Sequence, residues 1–253
     1  MTGCLLFVLS ILIRMSIKCL LKGEILTALF LFCGALVNAQ ELPGFKRKIF
    51  FDSYKIAAGP GFSTLRGSPY VDNNSVTSRK AKVGYSFGLT LNHSLSRKFG
   101  FESSVFFEKK GSISSYNSTY FDPISQSEKQ GKIKNIYAYD CVSLPLMILY
   151  SPDKNNRIGL ALGIYTSYLI RQTMKIEYVP QGPGGIEDQT NLNTLFDFGI
   201  SQQIEYLYPL SPKLSISTKL LNIRGLTNTR SDPDYGIVKT NNTSFLVGIM
   251  FKR

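Results

Sequence analysis

Residues 196–208 read Phe196-Asp197-Phe198-Gly199-Ile200-Ser201-Gln202-Gln203-Ile204-Glu205-Tyr206-Leu207-Tyr208. Phe196, Phe198, Ile200, Ile204, Tyr206 and Tyr208 share one parity, with Gln202 the exception, while Asp197, Gly199, Ser201, Gln203 and Glu205 share the other. A period of two puts alternate side chains on opposite faces of a strand. One face here is large and apolar, and the other is small, polar or acidic. Upstream, Ile158, Leu160, Leu162, Ile164, Tyr168 and Ile170 alternate with Gly159, Ala161, Gly163, Ser167 and Arg171. Val83, Tyr85, Phe87, Leu89 and Leu91 alternate with Gly84, Ser86, Gly88, Thr90 and Asn92, and Phe245, Val247, Ile249 and Phe251 close the chain.

The same reading finds eight strand segments, near 53–64, 79–95, 99–112, 132–151, 157–178, 194–208, 213–224 and 242–252. The connections Ser96-Arg97-Lys98, Pro152 to Asn156 and Pro209-Leu210-Ser211-Pro212 are short. The connections 65–78, 113–131, 179–193 and 225–241 are long and polar. Short and long connections alternate, so an up-and-down sheet carries tight turns at one end and four long loops at the other. That asymmetry belongs to an outer-membrane barrel, with short periplasmic turns and longer extracellular loops. The expected fold is therefore all-β: an eight-stranded antiparallel up-and-down transmembrane barrel over residues 53–253. The competing folds are a secreted soluble β-sandwich and a lipocalin-like barrel; a soluble barrel would bury the large side chains and expose charge. Against both stand strands beyond 11 residues and aromatics near strand ends, at Tyr54, Phe62, Phe99, Tyr150, Tyr206, Tyr208 and Phe251, where interfacial girdles want them.

Residues 1–39 read as a signal peptide, with Lys18 and Lys22 before the apolar run Ile25–Leu36 and cleavage after Ala39. Met15 is a natural start for such a leader, and residues 1–14 are either a mis-assigned upstream start or an unusual n-region. Residues 40–52 would form a short periplasmic segment. Three of the four cysteines fall within the leader, which leaves Cys141 alone and excludes a disulfide scaffold; it reads as a small, buried, inert side chain. The composition, 43% hydrophobic and 18% charged, excludes a disordered chain. The formal charge of +12 would become about +10 after leader removal. The basic residues form no helical stripe, so nucleic-acid binding is not expected.

Several stretches resemble the PorT-like outer-membrane β-barrel domain of Gram-negative bacteria. They are Gly59-Pro60-Gly61-Phe62-Ser63, Phe99-Gly100-Phe101-Glu102 through Phe107-Glu108-Lys109-Lys110-Gly111, Leu144-Pro145-Leu146 before Tyr150, and Arg224-Gly225-Leu226-Thr227-Asn228. The resemblance covers nearly all of residues 50–253. It implies a barrel and, through the family name, a link to protein secretion; it implies no catalytic residues. Barrels of this kind usually end on an aromatic residue read by the assembly machinery, whereas here Phe251 is followed by Lys252 and Arg253.

Parity places Glu102, Glu108, Asp197 and Glu205 inside the barrel, together with Lys110, Arg171 and Lys219. The expected role of these seven is a structural lumen network, since charges away from water need partners. The competing role is a general acid–base pair among the carboxylates. His93 is the one histidine and is expected to be interfacial; alone it cannot build a multi-histidine metal site. No catalytic, metal or cofactor site is expected. An eight-stranded barrel is just wide enough to be filled by side chains, which argues against a diffusion pore. The expected partners are outer-membrane lipid including lipopolysaccharide, the barrel assembly machinery, and secretion-system or extracellular proteins met through the four long loops. Two competing functions stay open: a small-ligand binder or narrow conduit past Glu102, Arg171 and Glu205, and a membrane enzyme with a site at the loop end.

Overall fold

The computed structural model describes residues 51–67, 78–122, 125–153, 155–179, 184–232 and 237–253. The leader and most of the 40–52 segment lie outside the described residues. So do 68–77, 180–183 and 233–236 within three of the expected loops.

Among the described residues nine strands follow in chain order: β1 (Ser53–Arg66), β2 (Ser78–Ser94), β3 (Phe99–Asp122), β4 (Ser127–Tyr150), β5 (Ile158–Val179), β6 (Ile186–Asp188), β7 (Phe196–Ser211), β8 (Leu214–Gly225) and β9 (Lys239–Lys252). All pairings are antiparallel. β1 bonds both β2 and β9, and β4 closes on β5, so eight strands form a ring. The three-residue β6 lies outside that ring and pairs only with the outer part of β5, from Thr173↔Asp188 to Lys175↔Ile186. A closed ring leaves no unpaired edge, as a backbone crossing hydrocarbon requires.

The two parities separate as the alternation dictates. Tyr54, Ile56, Phe62, Val83, Phe87, Leu162, Ile164, Ile204 and Phe245 are exposed on the outside. Lys55, Ala57, Ser63, Ser86, Thr90, Glu102, Ser201 and Glu205 are buried within. Near the tight turns Tyr54 stacks on Phe251 at 5.0 Å and Phe99 meets Tyr150 at 5.2 Å. Towards the other end Tyr168 meets Phe196 at 5.3 Å, as does Phe87 with Phe107. These are the two aromatic girdles of a membrane barrel. Inside, an apolar layer of Ala57, Phe106, Met147, Ala161, Leu221 and Leu246 fills the tube. Glycine makes room for it: a Cβ on Gly88 would sit 2.6 Å from Phe106 Cδ1.

The stretch 113–131 departs from the sequence expectation. It is not a long loop: β3 and β4 pair without interruption from Phe106↔Ser143 out to Asp122↔Ser127. The connection shrinks to residues 123–126, with Gln126 at φ 50°. The polar composition misleads because this hairpin rises beyond the other strands, where neither face has to be apolar. β1 stops at Arg66, paired with Lys239, while β3 continues seven residues, or roughly 23 Å, past Ser115, its last partner on β2.

Candidate functional site

The lumen holds most of the buried charge, in two groups. Nearer the tight turns, Lys55 on β1 donates to Glu102 Oε2 at 3.0 Å and to both oxygens of Glu205 at 2.8 and 2.7 Å. Lys219 on β8 donates to Glu102 Oε1 at 3.1 Å. Gln203 Nε2 donates to Glu102 at 3.1 Å and Ser217 Oγ to Glu205 at 2.5 Å. Two ammonium groups thus meet two carboxylates, drawn from β1, β3, β7 and β8. Lys219 also lies 5.5 Å from the centre of the Phe106 ring, where the apolar layer begins.

The second group lies nearer the long hairpin. Glu108 accepts from Ser143 Oγ and from Asn242 Nδ2 (2.8 Å), and pairs with Lys110 at 3.5 Å. Lys110 Nζ reaches Ser167 Oγ at 3.4 Å and sits 5.9 Å from the Tyr165 ring centre. Asp197 accepts from Tyr165 Oη and Thr227 Oγ1, each at 2.9 Å, and from Thr240 Oγ1. One lysine here faces two carboxylates, and neutral hydroxyls hold the second. Beside it is a cavity of about 20 Å³ touched by Lys110, Tyr139, Cys141, Asn193, Asp197 and Thr229. That is the size of about one water molecule. Tyr139 Oη and Asn193 Oδ1 are buried there without a hydrogen-bond partner. The cavity is roofed by backbone bonds from Thr194 to Thr229 (2.9 Å) and from Thr229 to Val238 (2.7 Å), and by the Asn193↔Arg230 bridge.

Six of the seven residues singled out by parity (Glu102, Glu108, Lys110, Asp197, Glu205 and Lys219) are buried in the lumen. The seventh, Arg171, is corrected. It pairs with Asp140 on the outer face, is 59% exposed, and approaches Asp188 at 3.6 Å. The cause is a β-bulge: Asp140 opposes Arg171 but Cys141 opposes Leu169, so Ile170 is an extra residue and parity inverts above it. The parity reading also passed over Lys55, the best-connected cation in the lumen. Its signal was present, because Lys55 shares parity with Ala57, Gly59, Gly61 and Ser63 on the small-residue face of β1.

Cys141 is buried with a free thiol. His93 lies near the tight turns, its Nδ1 4.0 Å from Asp52, far along the barrel from the second group. Among the described residues no group of three or more His, Cys, Asp or Glu side chains is placed to hold a metal ion. The buried charges of the lumen meet one another through ion pairs and hydrogen bonds across strands.

Residues 39–230 match the family described as the outer membrane protein beta-barrel domain. The chain belongs to this family. It is an outer-membrane β-barrel protein, and the ring of eight strands is its membrane-spanning part. No curated protein matches the chain. Among solved structures it is similar to Neisserial surface protein A, at 10% identity and a TM-score of 0.39, covering 79% of this chain and 97% of that one. It is similar to OprG of Pseudomonas aeruginosa at 12% identity and 0.37, covering 81% and 97%. It is also similar to Ail, the attachment invasion locus protein of Yersinia pestis, at 10% identity and 0.37, covering 80% and 100%.

Proposed function

We propose that this barrel is a closed-lumen, non-enzymatic protein that works through its extracellular hairpin and loops rather than by passing solutes. The observation that carries the reading is Lys55, fully buried and bonded at once to Glu102 on β3 and Glu205 on β7, which ties distant parts of the ring together across the lumen. A conduit would have to break that junction and pass the apolar layer around Phe106 and Leu246. The lumen charges then serve stability, as partners for one another. The refolded mature protein in planar bilayers is expected to give no steady conductance at neutral pH. Stable unit currents from the wild-type barrel would overturn the closed-lumen reading.

Within that reading the barrel is of the PorT-like type and takes part in protein secretion, as the residue resemblance implies. Its partners are the outer-membrane lipid including lipopolysaccharide, the assembly machinery that inserts the last strand, and secretion-system or extracellular proteins at the loops. A photo-crosslinking side chain at Gln130, exposed on the outer half of β4, is expected to trap a secretion component in intact cells. Normal export of secreted proteins from cells lacking this gene would remove the secretion role and leave the closed barrel untouched.

A further inference from the structure

Gln202 breaks the alternation of β7. Its neighbours of the same parity, Phe196, Phe198, Ile200, Ile204, Tyr206 and Tyr208, are all exposed on the lipid-facing side, and Gln202 is exposed there with them. It stands four residues from Phe198 and four from Tyr206. Each interval is about 13 Å along the strand and about 9 Å vertically at a 45° tilt. Gln202 therefore lies midway between the two aromatic girdles, inside an apolar band about 25 Å tall. Ile200 and Ile204 flank it on β7, Leu162 opposes it on β5, and Ile164 and Leu220 lie diagonally across, all exposed.

The amide is under-used where it sits. A glutamine side chain offers two N–H donors and a carbonyl acceptor. Gln202 Nε2 donates to Asn222 Oδ1 at 3.4 Å, and among the described residues nothing donates to its Oε1. Asn222 has no donor to spare. Its Nδ2 reaches Thr243 Oγ1 at 2.8 Å, and Asn241 Oδ1 and the Asn242 carbonyl at 3.3 Å each. Neither water nor a lipid tail can complete the Gln202 amide at mid-bilayer. Such a group costs free energy unless a second protein meets it. That protein must carry a donor and an acceptor at the same depth. A second copy of this chain does so necessarily. Under a two-fold axis along the membrane normal Gln202 faces Gln202, and an amide is donor and acceptor at once. The outward cation of β8, Arg224, lies one residue from the end of its strand, where a long stem lets the charge reach the headgroups rather than oppose the contact.

We propose that the outer face of β5, β7 and β8 centred on Gln202 is a contact between two copies of this barrel within the membrane. The two Gln202 amides exchange reciprocal N–H to O=C bonds, and the surrounding isoleucines and leucines exclude lipid from them. One patch meets itself, so the assembly closes at a dimer. The contact lies on the lipid-facing side of the ring, so it stands or falls apart from the closed-lumen reading.

The mature protein, folded in detergent micelles, is followed by sedimentation equilibrium over a range of protein-to-detergent ratios. The wild type is expected to show a reversible monomer–dimer equilibrium. Gln202→Leu should weaken the dimer about tenfold, because it removes both amide bonds of the contact. The same variant should unfold in urea no more readily than the wild type, since it takes an exposed amide out of lipid. A role for Gln202 confined to its bond with Asn222 would do the reverse, lowering the stability of the monomer and leaving association unchanged. A second measurement locates the contact. A photo-crosslinking side chain in place of Ile204 should trap a covalent dimer in outer membranes, whereas the same side chain in place of Leu89, on β2 across the ring, should not. The gel shift on boiling checks that each variant is folded. A wild type monomeric at every ratio would leave lipid as the covering of this face and overturn the proposal. Equal association of wild type and Gln202→Leu, equal trapping from Leu89, or capture of a different membrane protein from Ile204 would each overturn it as well.

Discussion

The two charged groups of the lumen use the same materials differently. Around Lys55 and Lys219 the charges balance, and each carboxylate accepts from ammonium groups within 3.1 Å. Around Asp197 they do not balance. Lys110 lies nearer Glu108, and Asp197 is held by the hydroxyls of Tyr165, Thr227 and Thr240. The first group is sealed between the turn end and the Phe106 layer, whereas the second adjoins a cavity under the loops. Sealed charge must be neutralised by charge, because an isolated ion there has no other compensation. A carboxylate beside polar loops can be held by neutral donors, since hydrogen bonds to the charged form supply much of what a counter-ion would.

The strongest way to break this contrast is Glu102→Ala. It leaves Lys219 without its carboxylate and Lys55 with one fewer, and should cost about 3–5 kcal/mol in urea unfolding of the lipid-reconstituted barrel. A loss under about 1 kcal/mol would mean that the lysines reach water and the group is not sealed. Pairing Lys219→Met with Glu102→Gln removes one charge of each sign and keeps Lys55 with Glu205. That double variant should recover to within about 1–2 kcal/mol of wild type.

In the second group, Asp197→Asn removes charge but keeps an acceptor for Tyr165 or Thr240. It should cost only about 1–2 kcal/mol. If it costs as much as Glu102→Ala, the distinction between the two groups fails.

The smallest effect belongs to neither group. Asp153, in the β4–β5 turn, accepts from the backbone amides of Arg157 (2.9 Å), Ile158 (3.0 Å) and Asn155 (3.2 Å). The first two hold its carboxyl below the ordinary aspartate range. Because the folded pKa is depressed, the turn's stabilisation is present above the unfolded value of about 3.9 and is lost as pH falls through the folded value. Amide exchange at Arg157 and Ile158 should quicken on acidification in the wild type, and Asp153→Asn should abolish that pH dependence.

Much of the fold was legible because strand parity is local. The eight segments fall within a few residues of the ring strands except where β3 and β4 run on into the hairpin. There the polar residues 113–131 looked like a loop, because the same polarity suits a sheet wet on both faces. Arg171 was misplaced for an equally local reason: one extra residue at Ile170 inverts parity, and nothing in Tyr168-Leu169-Ile170-Arg171 marks the bulge. Lys55 was legible but overlooked, a single charge on a face otherwise made of Ala, Gly and Ser.

The sequence alone determined which side chains face lipid and which face the lumen up to the bulge at Ile170, where the three short connections lie, and that the charges inside would need one another. The tertiary structure decided which charge meets which. Lys55 is 47 residues from Glu102 and 150 from Glu205. No local rule spans those separations. Such partners are brought together by ring closure and strand stagger, which set the height at which each inward side chain enters the tube.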